Sequence, residues 1–178
     1  MKILAIGNSV SQDATTYLHQ IAQAQGVELE VTNLYIGGCP LEWHAQNLRS
    51  GEAKYLFQEN GLYAPDARES LRPFREALDH GEWDIITVQQ VSHLAGQPES
   101  FQPHLDELLT AIRAAQPQAK LYFHQTWEYE YCSNHPEFPR YGSDCDTMHA
   151  AVRSACRCMA AENGLGLIPT GEAVHAAK

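Results

Sequence analysis

The sequence predicts an α/β fold, a three-layer α/β/α sandwich in which helices cover both faces of a five-stranded parallel sheet. Short apolar segments with the length of buried strands alternate with longer segments that have the apolar spacing of helices. Glycine or proline separates most of these segments. The length of 178 residues suits one hydrophobic core, so we expect a single domain over residues 1–178.

Each predicted element follows from its local pattern. The predicted strands span residues 2–7, 28–35, 83–89, 120–124 and 165–168, and the predicted helices span residues 13–25, 40–48, 69–80, 104–115 and 145–163. Tyrosine and phenylalanine residues around Asn60-Gly61 suggest a hairpin or an excursion from the sheet. Residues 128–144 are rich in aromatic residues and proline and are expected to form a long loop.

Composition excludes several classes of partner. The formal net charge of −10 argues against nucleic acid and against an anionic membrane surface, since both attract basic faces. Because no secretion signal or long apolar run is visible, a cytoplasmic location is the default expectation. The five cysteines are an odd number without tight grouping, so neither a disulfide framework nor a metal site is expected.

Four polar or glycine-rich segments come directly after predicted strands. They are Gly7-Asn8-Ser9, Gly37-Gly38-Cys39, residues 89–93 and residues 124–127. In a parallel α/β sheet, ligands bind beyond the carboxyl ends of the strands, so these segments are expected to form the functional site.

Ser9 is the candidate nucleophile among them. Gly7 allows a sharp turn, and a serine at the start of a helix can direct its own backbone N–H at a developing oxyanion. Two alternatives remain open from the residues alone. Ser11 or Asp13 could simply cap the helix, with Ser9 as a loop residue. The loop could also bind a phosphate, although the further glycines of nucleotide-binding motifs are missing.

The blocks that follow these strands resemble those of the SGNH/GDSL hydrolases. Residues 6–9, Ile-Gly-Asn-Ser, resemble block I, whose usual form contains Gly-Asp-Ser. Residues 33–38 are similar to block II, in which an asparagine precedes the oxyanion-hole glycine by five residues, and residues 84–93 fall where block III is expected. The segment Thr126-Trp127-Glu128-Tyr129 strengthens the resemblance to a bacterial branch of this superfamily, whose fold is flavodoxin-like.

The resemblance implies a role for each matching residue. Ser9 would attack an ester carbonyl, and the backbone N–H groups of Ser9 and Gly38 would bind the oxyanion. Gln90 would supply the third donor in place of the usual asparagine, with Gln89 or Ser92 as substitutes; alternatively, the glutamine pair caps the strand end. The expected reaction is hydrolysis of a small or carbohydrate O-acyl ester through an acyl-serine intermediate, without a metal or organic cofactor.

The catalytic base has no clear candidate. The superfamily's Asp-x-x-His block is absent after the last predicted strand. His175 is the only histidine there, and no aspartate stands three residues before it. We expect a chain truncated at its C-terminus; otherwise His93 or His124 acts as base, with Glu128 or Glu130 orienting it. Asn8 and Trp127 are further candidates for contact with the substrate.

Two other functions remain open. One is a ligand-binding protein of the same fold that lacks a base, and the other is a flavodoxin-like phosphate or nucleotide binder. The remaining histidines show no metal-binding spacing. They are His19, His44, His80, His104, His135 and His149.

Overall fold

A computed structural model of residues 1–178 contains one seven-stranded sheet with the strand order β4-β3-β2-β1-β5-β6-β7. The strands are Lys2–Gly7 (β1), Glu30–Tyr35 (β2), Ala53–Glu59 (β3), Arg68–Pro73 (β4), Ile85–Val88 (β5), Lys120–His124 (β6) and Gly166–Ile168 (β7). Strands β2, β1, β5, β6 and β7 are parallel, whereas β3 and β4 pair antiparallel at one edge.

The five parallel strands confirm the predicted sheet, but the count of five is too low. The extra strands β3 and β4 form the hairpin that the sequence indicated around Asn60-Gly61. The predicted helix over residues 69–80 is wrong in its first half, because that part is β4. Pairing with β3, supported by a bond from Gln58 Nε2 to Glu69 Oε1 (2.6 Å), overrides the helical composition of this segment.

Helices flank the sheet on both faces. They are Ser9–Thr15 (α1), Leu18–Ala24 (α2), Leu41–Ser50 (α3), Phe74–Asp79 (α4), His104–Ala115 (α5), Cys145–Glu162 (α6) and Thr170–Ala176 (α7). The single helix predicted over residues 13–25 is two helices, which begin four residues earlier, at Ser9. Helix α7 was not predicted. No helix has both the length and the apolar character that crossing a membrane requires.

The main core lies between one face of the sheet and α3, α4, α5 and α6. Leu4 and Ile6 of β1 and Val88 of β5 face this core and are at most 2% exposed. The opposite face carries α1 and α2 and has a groove over Ile85 and Tyr122. This packing fixes the carboxyl ends of β1, β2, β5 and β6 along one edge, where the candidate residues lie.

Candidate active site

Ser9 stands where strand β1 gives way to helix α1. It is the first residue of α1 and is exposed, while its neighbours Asn8 and Val10 are buried. The first N–H groups of a helix have no intrahelical acceptor, so the Ser9 N–H is available to a ligand. The Ser9 hydroxyl makes no hydrogen bond with any other residue of the chain. An exposed hydroxyl next to a free N–H has the arrangement that nucleophilic attack on a carbonyl requires.

Asn8 fixes the loop that carries Ser9. Its Oδ1 accepts bonds from the Val10 N–H (3.2 Å) and from Gln89 Nε2 (2.7 Å). Because the Val10 N–H can only donate, the Asn8 Nδ2 faces the other way and donates to the Cys39 carbonyl (3.0 Å). One buried side chain therefore caps α1 and ties the β1 loop to the β2 and β5 loops. Asn8 is 1% exposed, so its role is positional.

Gly38 lies in the turn after β2, next to the Ser9 loop. The register pairs Gly7 with Tyr35, and the Ile36 N–H donates to the Gly7 carbonyl, so the two loops leave the sheet side by side. Gly38 has φ of +63°, a left-handed conformation that favours glycine, and its N–H makes no hydrogen bond within the protein. Two N–H groups without a partner in the protein, those of Ser9 and Gly38, therefore lie in neighbouring loops.

The glutamine pair after β5 is buried and already bonded. Gln90 is fully buried, and its Nε2 donates to the carbonyl and the hydroxyl of Ser100 (3.0 and 3.1 Å). Its Oε1 accepts from the N–H groups of Leu41 and Val91. Gln90 therefore has no free N–H for an oxyanion, and it caps the strand end instead. Gln89 donates to Asn8, so it too supports the Ser9 loop.

A cleft of about 560 Å³ opens in front of Ser9. The loop after β6 and the end of α7 form its other walls. Its lining comprises Ser9, Val10, Asp13, Ser92, Trp127, Glu128, Tyr129, Glu130, Ser133, Val174 and Lys178. Trp127 and Tyr129 give the cleft two partly exposed aromatic faces, and the substrate role of Trp127 stays a prediction.

Neither proposed histidine base lines this cleft. His124 lies in the groove on the opposite face of the sheet, where its Nε2 is 3.0 Å from Thr170 Oγ1 and burial lowers its pKa to about 4. His93 is half-buried beside His135, and burial is the main cause of its lowered pKa. The structure therefore brings Ser9 and Trp127 into one cleft, with Asn8 buried behind Ser9 and Gly38 in the adjacent loop, and no histidine lines that cleft.

The structure contains a charged cluster around Glu128 that no sequence motif predicts. Glu128, whose side chain is fully buried, accepts bonds from His149 Nδ1 (3.3 Å), His175 Nδ1 (3.1 Å) and Lys178 Nζ (2.5 Å). Burial alone would raise the pKa of Glu128, but the bonds from Lys178, its own backbone and His175 bring that pKa down to about 2. The two histidines lie 21 and 47 residues from Glu128, so no spacing motif could have found them.

His175 does not provide the base for Ser9. Its Nδ1 faces Glu128, and its Nε2 lies 4.0 Å from Asp146 Oδ1. Both ring nitrogens are therefore directed at carboxylates, and the ring does not line the cleft.

The chain is similar in structure to several known proteins. A crystal structure of a DUF4886 family protein from Bacteroides uniformis is 35% identical, with a TM-score of 0.93, over 98% of this chain and 69% of that chain. An SGNH hydrolase candidate from Slackia heliotrinireducens is 24% identical, with a TM-score of 0.67, over 99% and 82% of the two chains. A family 3 carbohydrate esterase from Clostridium thermocellum is 11% identical, with a TM-score of 0.51, over 94% and 75%.

The last two similarities concern the fold alone. They agree with the predicted SGNH hydrolase fold, a mostly parallel sheet between helices. None of the curated proteins matches the chain. The family model "Domain of unknown function (DUF4886)" matches residues 2–178, and the chain therefore belongs to the DUF4886 family.

Proposed function

We propose that the protein is a serine ester hydrolase with Ser9 as its nucleophile. The observation that carries the proposal is the exposed Ser9 hydroxyl at the start of α1, beside its own unpaired N–H group. The unpaired N–H of Gly38 lies in the adjacent loop after β2. In the reaction, the Ser9 oxygen attacks the ester carbonyl and the two N–H groups bind the oxyanion. The alcohol leaves, and water then releases the acid from the acyl-serine. Oxyanion donors of this kind contribute about 3 kcal/mol each.

The cleft supports a neutral O-acyl ester, with a carbohydrate as the alcohol part. Lys178 pairs with the buried Glu128, while Asp13 and Glu130 leave the lining with a net negative charge that disfavours anionic substrates. Trp127 and Tyr129 present flat apolar faces with polar edges, which suit contact with a sugar ring. The esterase among the structural neighbours acts on carbohydrate, as its name states.

The base is the open part of the proposal. No histidine lines the Ser9 cleft, so the residue that takes the Ser9 proton is not assigned. The same observation favours a second candidate, a ligand-binding protein of this fold in which Ser9 is never deprotonated.

Hydrolysis of p-nitrophenyl acetate separates the two candidates. The measurement uses the 178-residue chain and, in parallel, the chain as its gene encodes it. We expect Ser9→Ala to lower kcat by at least about 1,000-fold in the active form. Ser154→Ala is the matched control, because Ser154 is exposed on α6 and outside the cleft. Turnover that persists in Ser9→Ala would contradict the assignment of Ser9 as the nucleophile. Absence of turnover in both forms of the parent chain would favour the ligand-binding protein.

Trp127→Ala tests the substrate class. Removing the indole is expected to raise KM for an acetylated oligosaccharide about 10-fold, while KM for p-nitrophenyl acetate stays within about 2-fold, since only the sugar contacts the ring. An equal change in both KM values would refute the carbohydrate assignment and leave the ester chemistry standing.

A further inference from the structure

The cluster of Glu128, His149 and His175 joins three separate parts of the fold. Glu128 belongs to the loop after β6, His149 to α6 and His175 to α7. The two imidazole rings stack with their centroids 3.8 Å apart and their planes 14° apart, so both Nδ1 atoms face one carboxylate. The three candidate ligand atoms all lie within 4.8 Å of one another.

We propose that these three residues form a binding site for a zinc ion. Two imidazole nitrogens and a carboxylate oxygen are a donor set that Zn²⁺ prefers, with a water molecule as the fourth ligand. The proposal does not depend on Ser9 being a nucleophile.

The spacing between each histidine and the carboxylate is close to that of neighbouring zinc ligands. With bonds of about 2.0–2.1 Å, neighbouring ligand atoms of a tetrahedral zinc lie about 3.3 Å apart. The Nδ1 atom of His149 lies 3.3 Å from Glu128 Oε2 and that of His175 lies 3.1 Å from Glu128 Oε1, so each histidine is at about this spacing from a different oxygen of the carboxylate. Zinc binding would replace these two hydrogen bonds with metal bonds, and the stacked rings would have to turn apart so that the ion lies in the plane of each imidazole.

The surroundings favour a cation at this position. The Glu128 side chain is fully buried, and such a carboxylate needs a positive partner close to it. Asp146 Oδ1 lies 4.0 Å from His175 Nε2, where it adds negative charge near the site. Lys178 now supplies the positive charge through its 2.5 Å bond to Glu128, and it would have to leave.

Titration of the metal-free protein with ZnCl₂ tests the site, read by calorimetry and by the thermal unfolding midpoint. We expect one ion per chain and a midpoint that rises with zinc concentration, since zinc binds the folded state. His149→Ala and His175→Ala are expected to weaken binding by at least about 100-fold. His80→Ala is the control, because His80 lies far from the cluster, beside Phe57 and Glu59, and should bind as the parent does.

Lys178→Met keeps the proposal testable if the histidine variants fail to fold. Removing the competing ammonium is expected to tighten zinc binding about 10-fold. Failure of the parent protein to bind zinc, equal binding by the histidine variants, or unchanged or weaker binding by Lys178→Met would each overturn the proposal.

Discussion

Replacing Asn8 with alanine should destabilise the protein and disorder the loop that carries Ser9. The change removes the cap on the Val10 N–H and leaves the Cys39 carbonyl and the Gln89 amide without their partner in a buried environment. Loss of a helix N-cap costs about 1 kcal/mol. Each orphaned buried group costs about 1–3 kcal/mol. The free energy of unfolding should therefore fall by about 3 kcal/mol or more.

Asn8→Asp distinguishes the two hydrogen bonds that the Asn8 side chain accepts from the one that it donates. The carboxylate still accepts from Val10 and Gln89, and a negative charge is favourable at a helix N-terminus. It cannot donate to the Cys39 carbonyl, which it would instead repel. We therefore expect a smaller loss of about 1–2 kcal/mol, which arises at the contact between the Ser9 and Gly38 loops.

Urea unfolding followed by circular dichroism measures these changes. Asn134→Ala is the control, because Asn134 is exposed and its side chain makes no hydrogen bond within the protein. If Asn8→Ala unfolds within about 0.5 kcal/mol of the parent, as surface substitutions do, the reasoning about this side chain is refuted.

Three further predictions concern buried groups. Gly7→Ala would place a Cβ 2.7 Å from Gln89 Cδ, so urea unfolding should show a loss of about 1–3 kcal/mol, and an unchanged midpoint would contradict the packing. The pKa of Glu128 is about 2 in the folded protein, against an ordinary value of 4.5. Its contribution to the free energy of unfolding should therefore be present at neutral pH and lost as the pH falls from about 5 to 2. In Lys178→Ala, the free energy of unfolding should fall less over this pH range. The His124 ring, whose pKa burial lowers to about 4, should titrate there by NMR, and a midpoint near 6.5 would show that it is solvated.

The parallel sheet was predictable because each of its strands is a short apolar run followed by a turn. The helix over residues 104–115 and the strand over residues 120–124 were predicted with their observed limits. Segment 68–73 could not be assigned in this way, since its charged residues suit a helix and only pairing with β3 makes it a strand. Local pattern carries no information about an edge strand that is stabilised by a distant partner.

The candidate site was predictable only for residues that directly follow a strand of the parallel sheet. Ser9 and Gly38 lie at the ends of neighbouring parallel strands, so sequence alone places them together. The role expected of Gln90 fails for a different reason. A glutamine can turn its amide toward either of two partners, and the nearby Ser100 takes both of its N–H groups. The cluster around Glu128 depends on the packing of α6 against α7, which no local pattern encodes.

Mass spectrometry after reaction with a fluorophosphonate tests the role of Ser9 most directly, because the probe bonds only to an activated serine. The measurement uses the chain as its gene encodes it, with Ser9→Ala as the negative control. The account predicts one phosphonyl group per chain, located on the peptide that contains Ser9 and absent from Ser9→Ala. An unlabelled Ser9, or the same label in Ser9→Ala, would contradict it.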